Sequence, residues 1–138
     1  MDTSPKRKNT KVIGDLGETI AVQYLQQRGF TILDTNYWHK WGEIDIIAEK
    51  RLMVHFVEVK TVSYETRKKL QEALMGETWR PEEQVHKRKI HQIEKALETW
   101  FEKTGHKGDF QIDVLAVRMV QKEKYATVNH IEHVAFEA

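Results

Sequence analysis

Residues 42–60, GEIDIIAEKRLMVHFVEVK, constrain the fold more than any other stretch, as two short apolar strands that carry Asp45, Glu58 and Lys60 among aliphatic neighbours. Ionised groups at strand positions expected to be buried carry a large desolvation cost unless a metal, a partner or solvent satisfies them. Side chains alternate with period two, so Glu43, Asp45 and Ile47 are expected on one face and Ile44 and Ile46 on the other. In the second strand Phe56, Glu58 and Lys60 share a face, opposite Val57 and Val59. Paired as a hairpin, the two strands set Asp45 beside Glu58, with Lys60 one step along. Two carboxylates and a lysine so placed predict a metal-dependent hydrolytic site.

The chain has 138 residues and 40% hydrophobic content, enough for the core of one domain. Its net charge is only +1, so any affinity for phosphate rests on local patches. Lys6, Arg7, Lys8 and Lys11 crowd the N-terminus, and residues 67–69 and 87–89 form two further basic runs, each also readable as a solvated face. There is no cysteine, which excludes disulfides, thiolate zinc sites and a cysteine nucleophile. No apolar stretch follows the N-terminal charges, and none reaches the roughly 18 residues of a spanning helix. A soluble, cytoplasmic protein is expected.

Along the chain, residues 1–11 read as a flexible basic arm and 12–138 as a single domain. A helix is predicted over 14–27, closed by Gly29, with Leu16, Ile20, Ala21, Tyr24 and Leu25 on its apolar face. Glu18 falls inside that apolar arc, either as an acid placed for chemistry or as a first-turn acid favoured by the macrodipole. Strands are predicted over 30–37, 43–49 and 52–60, with a turn at 49–51. Residues 61–80 read as a mobile loop in preference to a short helix. Pro81 opens a second long helix to about Lys103 that buries Val85, Ile90, Ile93, Leu97, Trp100 and Phe101. Strands over 110–120 and 125–131 complete the order α-β-β-β-α-β-β, an α/β fold with a mixed central sheet flanked by helices.

The site so assembled has Glu18 on a helix, Asp45 on one strand, and Glu58 and Lys60 on the next. An acid, then Asp, then Glu-x-Lys over a helix and a hairpin resembles the PD-(D/E)xK nuclease superfamily, whose fold is restriction-endonuclease-like. More narrowly, the segments GDLGETIAVQYLQQRGFTIL, NYWHKWGEIDIIA, FVEVKT, VHKRKI and QIDVLAV resemble the YraN-like family of small bacterial proteins, similar in fold to archaeal Holliday-junction resolvases. The resemblance implies that Asp45 and Glu58 are metal-binding acids, Glu18 the acid given by the first helix, and Lys60 the catalytic lysine. It implies Mg²⁺, replaceable by Mn²⁺, bound with help from the Val59 carbonyl, and a product with a 5′-phosphate and a 3′-hydroxyl. Glu43 fits the family's segment without an assigned role. Lys89 matches a basic position on the second long helix, and Asp113 the aspartate of a late RFDV segment in which Gln111 replaces the usual arginine. The stretch 62–80 is longer than the family leads one to expect, and is either a DNA contact or an insertion.

The function that follows is a metal-dependent endonuclease acting on branched, nicked or single-stranded DNA. Lys8, Lys11, Lys87, Arg88 and Lys89 would hold the sugar-phosphate backbone without reading sequence. Two alternatives stay open: a catalytically silent nucleic-acid-binding protein that acts through a partner, and a ribonuclease. Resolution of a four-way junction would further demand a symmetric homodimer. The seven histidines show no zinc-like spacing and are expected on the surface. Trp38 and Trp41 are expected to cover the end of the sheet in preference to stacking on an unpaired base. Gly14 and Gly17 lack the spacing and the following Lys-Ser/Thr of a phosphate loop.

Overall fold

In the computed structural model, which describes residues 6–76 and 87–134, the apolar stretch read above as a hairpin is one. Strands β1 (Thr31–His39), β2 (Gly42–Lys50) and β3 (Met53–Ser63) follow helix α1 (Lys6–Gln27). Lys50 pairs with Met53, which moves the expected turn one residue along to Arg51 and Leu52. Both have positive φ, 53° and 68°, as a type I′ turn requires in order to match the twist of its strands. Helices α2 (Arg67–Gly76) and α3 (Lys87–Thr104) then lead to β4 (Asp109–Val120) and β5 (Tyr125–Ile131).

The five strands form one sheet in chain order, β1-β2-β3-β4-β5. Neighbours are antiparallel except β3 and β4, which run parallel from Met53 opposite Asp109 to Ser63 opposite Met119. A parallel pair needs a crossover, and α2 and α3 supply it. The result is the α/β mixed sheet flanked by helices that a restriction-endonuclease-like chain is expected to adopt.

A separate apolar layer covers each face. Ala21 and Leu25 of α1 pack on Ile46, Ala48, Val57, Leu115 and Val117. Ile90, Ile93, Leu97 and Trp100 of α3 pack on Ile44, Ile47, Phe56 and Val114. Ile44 therefore lies with Ile47 under α3, and not with Ile46 as simple alternation predicts. The cause is local. Ladder pairing between β2 and β3 ends at Ile46 and Val57, and β2 changes facing as it leaves its partner at Asp45.

Two further expectations are corrected. Helix α1 begins at Lys6, so the described part of the basic arm, 6–11, is helical, with Lys11 Nζ 3.4 Å from Asp15 Oδ2 one turn on. The stretch read as a mobile loop contains α2, anchored by the fully buried Leu70 and capped by Thr66, whose Oγ1 accepts the Lys69 N–H at 3.1 Å. Pro81 and Val85, and the side chains of Lys8 and Lys87, lie outside the described residues. Among the described residues no helix is long and apolar enough to cross a membrane.

Candidate active site

Where β2 and β3 part, the Asp45 carboxylate takes over a backbone hydrogen bond: its Oδ2 accepts the Val59 N–H at 2.8 Å. This fixes the carboxylate in the gap between the strands, facing a cleft of about 510 Å³ whose lining includes Glu18, Asn36 and Ile46. Carboxylate oxygens of Glu18, Glu43 and Asp45 lie within 4.8 Å of one another. Glu18 reaches the gap because α1 lies very close to β3 at the residue before it. A Cβ on Gly17 would run into the Thr61 side chain, coming within 2.9 Å of its Cβ.

Asn36 draws two of these acids together. Its amide nitrogen donates to Glu18 Oε2 at 3.0 Å and Oε1 at 3.2 Å, and to Glu43 Oε1 at 2.7 Å. The register places Thr35 opposite Ile46 and Tyr37 opposite Ile44, so Asn36 stands level with Asp45. Its φ of 51° is a left-handed conformation that asparagine tolerates better than most residues. That kink in β1 turns the amide onto the acids.

Glu58, the buried acid of the site, lies on the α3 side of the same gap between two lysines. Lys60 Nζ is 3.7 Å from its Oε1, and Lys89 Nζ is 3.8 Å from its Oε2. Lys89 also donates to the Glu43 carbonyl at 3.5 Å. Glu58 Oε2 is buried yet accepts no hydrogen bond from any described residue. Burial, then the charges of Glu58, Glu18 and Glu43, push Asp45 up to about 8 against the pull of the Val59 N–H. Burial likewise raises Glu58, while Lys89 and Lys60 pull it back down. Asp45 and Glu58 thus resist ionising together, and the converging oxygens of Glu18, Glu43 and Asp45 are an all-oxygen donor set of the kind a hard divalent cation takes.

The four residues singled out in the sequence, Glu18, Asp45, Glu58 and Lys60, thus meet around one gap, with Glu43 and Lys89 among them. Arg88 is exposed at the start of α3, and Lys11 is exposed on α1, one turn before Asp15 of the cleft wall. Sequence reasoning missed Asn36; its position inside the NYWHKWGEID segment was the available signal. It also misplaced two aromatic and two imidazole side chains. Trp38 is 72% exposed, while Trp41 stands between Lys40 and Lys95, whose Nζ atoms are 5.0 and 4.2 Å from its ring centre. His55 is buried and His130 half-buried, and both turn onto the buried Asp113. Gln111, standing where arginine was expected, donates to Asp113 Oδ1 at 2.8 Å.

Comparison with known proteins adds a family. The profile described as "Uncharacterised protein family UPF0102" matches residues 17–117, a span that includes every acid and lysine of the gap. A UPF0102 protein of Trichlorobacter lovleyi is 37% identical over 126 residues, 90% of each chain. One from Alkaliphilus metalliredigens is 35% identical over 122 residues, covering 88% of this chain and 97% of the relative. One from Campylobacter jejuni is 35% identical over 105 residues, covering 76% and 82%. With the family profile spanning most of the chain and relatives aligned over nearly their whole length, the chain belongs to UPF0102, the YraN-like family that its motifs resemble.

Proposed function

We propose that the chain is a metal-dependent endonuclease that hydrolyses DNA phosphodiester bonds and selects its substrate by structure. The observation that carries this reading is the half-buried Asp45 and the buried Glu58 at the parting of two strands, with a Glu58 oxygen that accepts no hydrogen bond from the described residues and Lys60 beside it. Lys60 and Lys89 offset part of the cost of burying Glu58, and a divalent cation would offset more of it. Asp45 and Glu58 would hold Mg²⁺, or Mn²⁺ in its place, with Glu18 and Glu43 completing an oxygen shell. Bound there, the ion would supply Lewis-acid polarisation of a phosphoryl oxygen.

The chain's own groups account for the remaining work. The Val59 N–H orients Asp45, and the Asn36 amide keeps Glu18 and Glu43 from separating. Lys60 faces the charge that develops on the phosphate and is placed to take or hold the proton of the attacking water. Lys89 offsets Glu58, and with Lys11 and Arg88 offers positive charge to the sugar-phosphate backbone. Trp38 favours substrates with an unpaired base: it is Cα-paired with Glu43 across the β1–β2 hairpin, and its indole is open for stacking. Such a protein would work in the cytoplasm, and as a symmetric pair if its substrate is a four-way junction.

The test is cleavage of a labelled panel of DNA structures, with matched RNA, in Mg²⁺ or Mn²⁺, comparing wild type with Asp45→Ala. Cleavage of DNA by the wild type and its loss in the variant is the expected result. Binding without cleavage by either protein, unaffected by divalent ions, would replace this reading with a silent nucleic-acid-binding role. Preferential cleavage of RNA would make it a ribonuclease.

A further inference from the structure

On the α1 face of the sheet a second cluster forms from four residues far apart in sequence: His55 of β3, Asp113 of β4, His130 of β5 and Glu132 just beyond it. A ligand atom from each lies within 4.8 Å of all the others. His55, His130 and Glu132 border a cleft of about 680 Å³ whose lining also includes Gln111 and Arg28. We infer that these four side chains are a binding site for a borderline transition-metal ion, zinc above all, separate from the all-oxygen gap at Asp45.

Three observations carry this. First, the donors converge in a particular way. Both imidazoles address one oxygen, with His55 Nδ1 at 2.6 Å and His130 Nε2 at 2.8 Å from Asp113 Oδ2. The other oxygen, Oδ1, is held from outside by the His133 N–H at 2.9 Å and Gln111 Nε2 at 2.8 Å. Gln111 also lies 3.5 Å from Glu132 Oε1. Inner atoms aimed at one point, and an outer shell that fixes the carboxylate, is how metal ligands are oriented. Ligand atoms around a tetrahedral ion with bonds of about 2.0–2.2 Å lie roughly 3.3–3.6 Å apart, so the imidazoles would open by under about 1 Å.

Second, the charges balance. An imidazole that ligates a metal does so in its neutral form, so the donor set would carry the two negative charges of the fully buried Asp113 and the exposed Glu132, which one divalent ion cancels. Third, the donor types discriminate. Nitrogen with carboxylate oxygen suits zinc and its neighbours, whereas magnesium prefers an all-oxygen shell. The packing gives such an ion a structural role, since it would tie three adjacent strands together beneath Phe30, whose ring lies 4.9 Å from His55.

The experiment is equilibrium dialysis of chelator-stripped protein against zinc, with Co²⁺ as a spectroscopic probe, on wild type, Asp45→Asn and His130→Ala. Wild type and Asp45→Asn should each retain a single equivalent of zinc and show the visible absorption of tetrahedral, nitrogen-ligated cobalt. His130→Ala should bind at least about tenfold more weakly and lose that spectrum. If it fails to fold, His130→Gln, which keeps a hydrogen-bonding group but is a poor ligand, is read in the same way. The inference is overturned if wild type retains no zinc. It is equally overturned if zinc survives the His130 variants and is lost in Asp45→Asn, because the ion then sits among the acids of the gap.

Discussion

Asp45 concentrates the electrostatic tension of the molecule. Its carboxyl is pushed up to about 8 by burial and by Glu58, Glu18 and Glu43, whereas in an unfolded chain it titrates near ~3.9. Between those values the folded protein holds the extra proton. The stability linked to this group is therefore complete at low pH and is lost as pH rises toward 8. Without divalent ions, Asp45→Asn should match wild type only below about pH 4 and gain on it steadily between about pH 4 and pH 8, by up to roughly 5 kcal/mol, measured by urea denaturation in chelator. Asn36→Gly probes the neighbouring amide. Glycine accepts the positive φ, so stability should change by under about 1 kcal/mol, while Mn²⁺ affinity measured by calorimetry falls about 10–100-fold. Asp45, Glu58 and Lys60 were legible in the sequence because charges stand out among aliphatic residues. Asn36 was not, because its role depends on a backbone twist that no periodicity reveals. The His55–Asp113–His130 cluster was hidden by its division over three strands, each contributing a single donor.

Elements were legible where several residues repeat a pattern and opaque where one residue anchors them. The strands were found to within a few residues because alternation runs through each of them. Helix α2 was missed because Leu70 is its only side chain fully out of solvent, and one anchor makes no period. The start of α1 was missed because residues 6–11 add charge without an apolar stripe. The joint between α1 and β3 offers the sharpest test at this scale. Gly17→Ala drives a methyl group into Thr61 and should cost about 2–3 kcal/mol, with Glu18 displaced from the other acids. Thr61→Ala removes the two nearest of the clashing atoms and leaves the Cβ approach at 2.9 Å. Thermal unfolding of the double variant should therefore recover most, but not all, of the loss.

For the whole molecule, the fold class could be read from element order, but the division of labour between the faces of β3 could not. Phe56 enters the core under α3, whereas Val57 packs under α1, and the acids sit where the neighbouring strand peels away. Mg²⁺ held there should stabilise the entire domain by mass action, about 2.7 kcal/mol at a hundredfold excess over Kd. Because Asp45 must first give up its proton, the rise in Tm should be greater at about pH 8.5 than at about pH 6, as followed by calorimetry with and without the ion. Strand order in the sheet repeats chain order, which has a consequence for biosynthesis. Glu18, Asn36, Glu43, Asp45, Glu58 and Lys60 all leave the ribosome before Lys89 and before β4. The nascent chain thus carries its mutually repelling acids for some time without the second lysine or the parallel strand that closes the sheet. The long excursion from Ser63 to Asp109 is the slow closure on which the finished pocket waits.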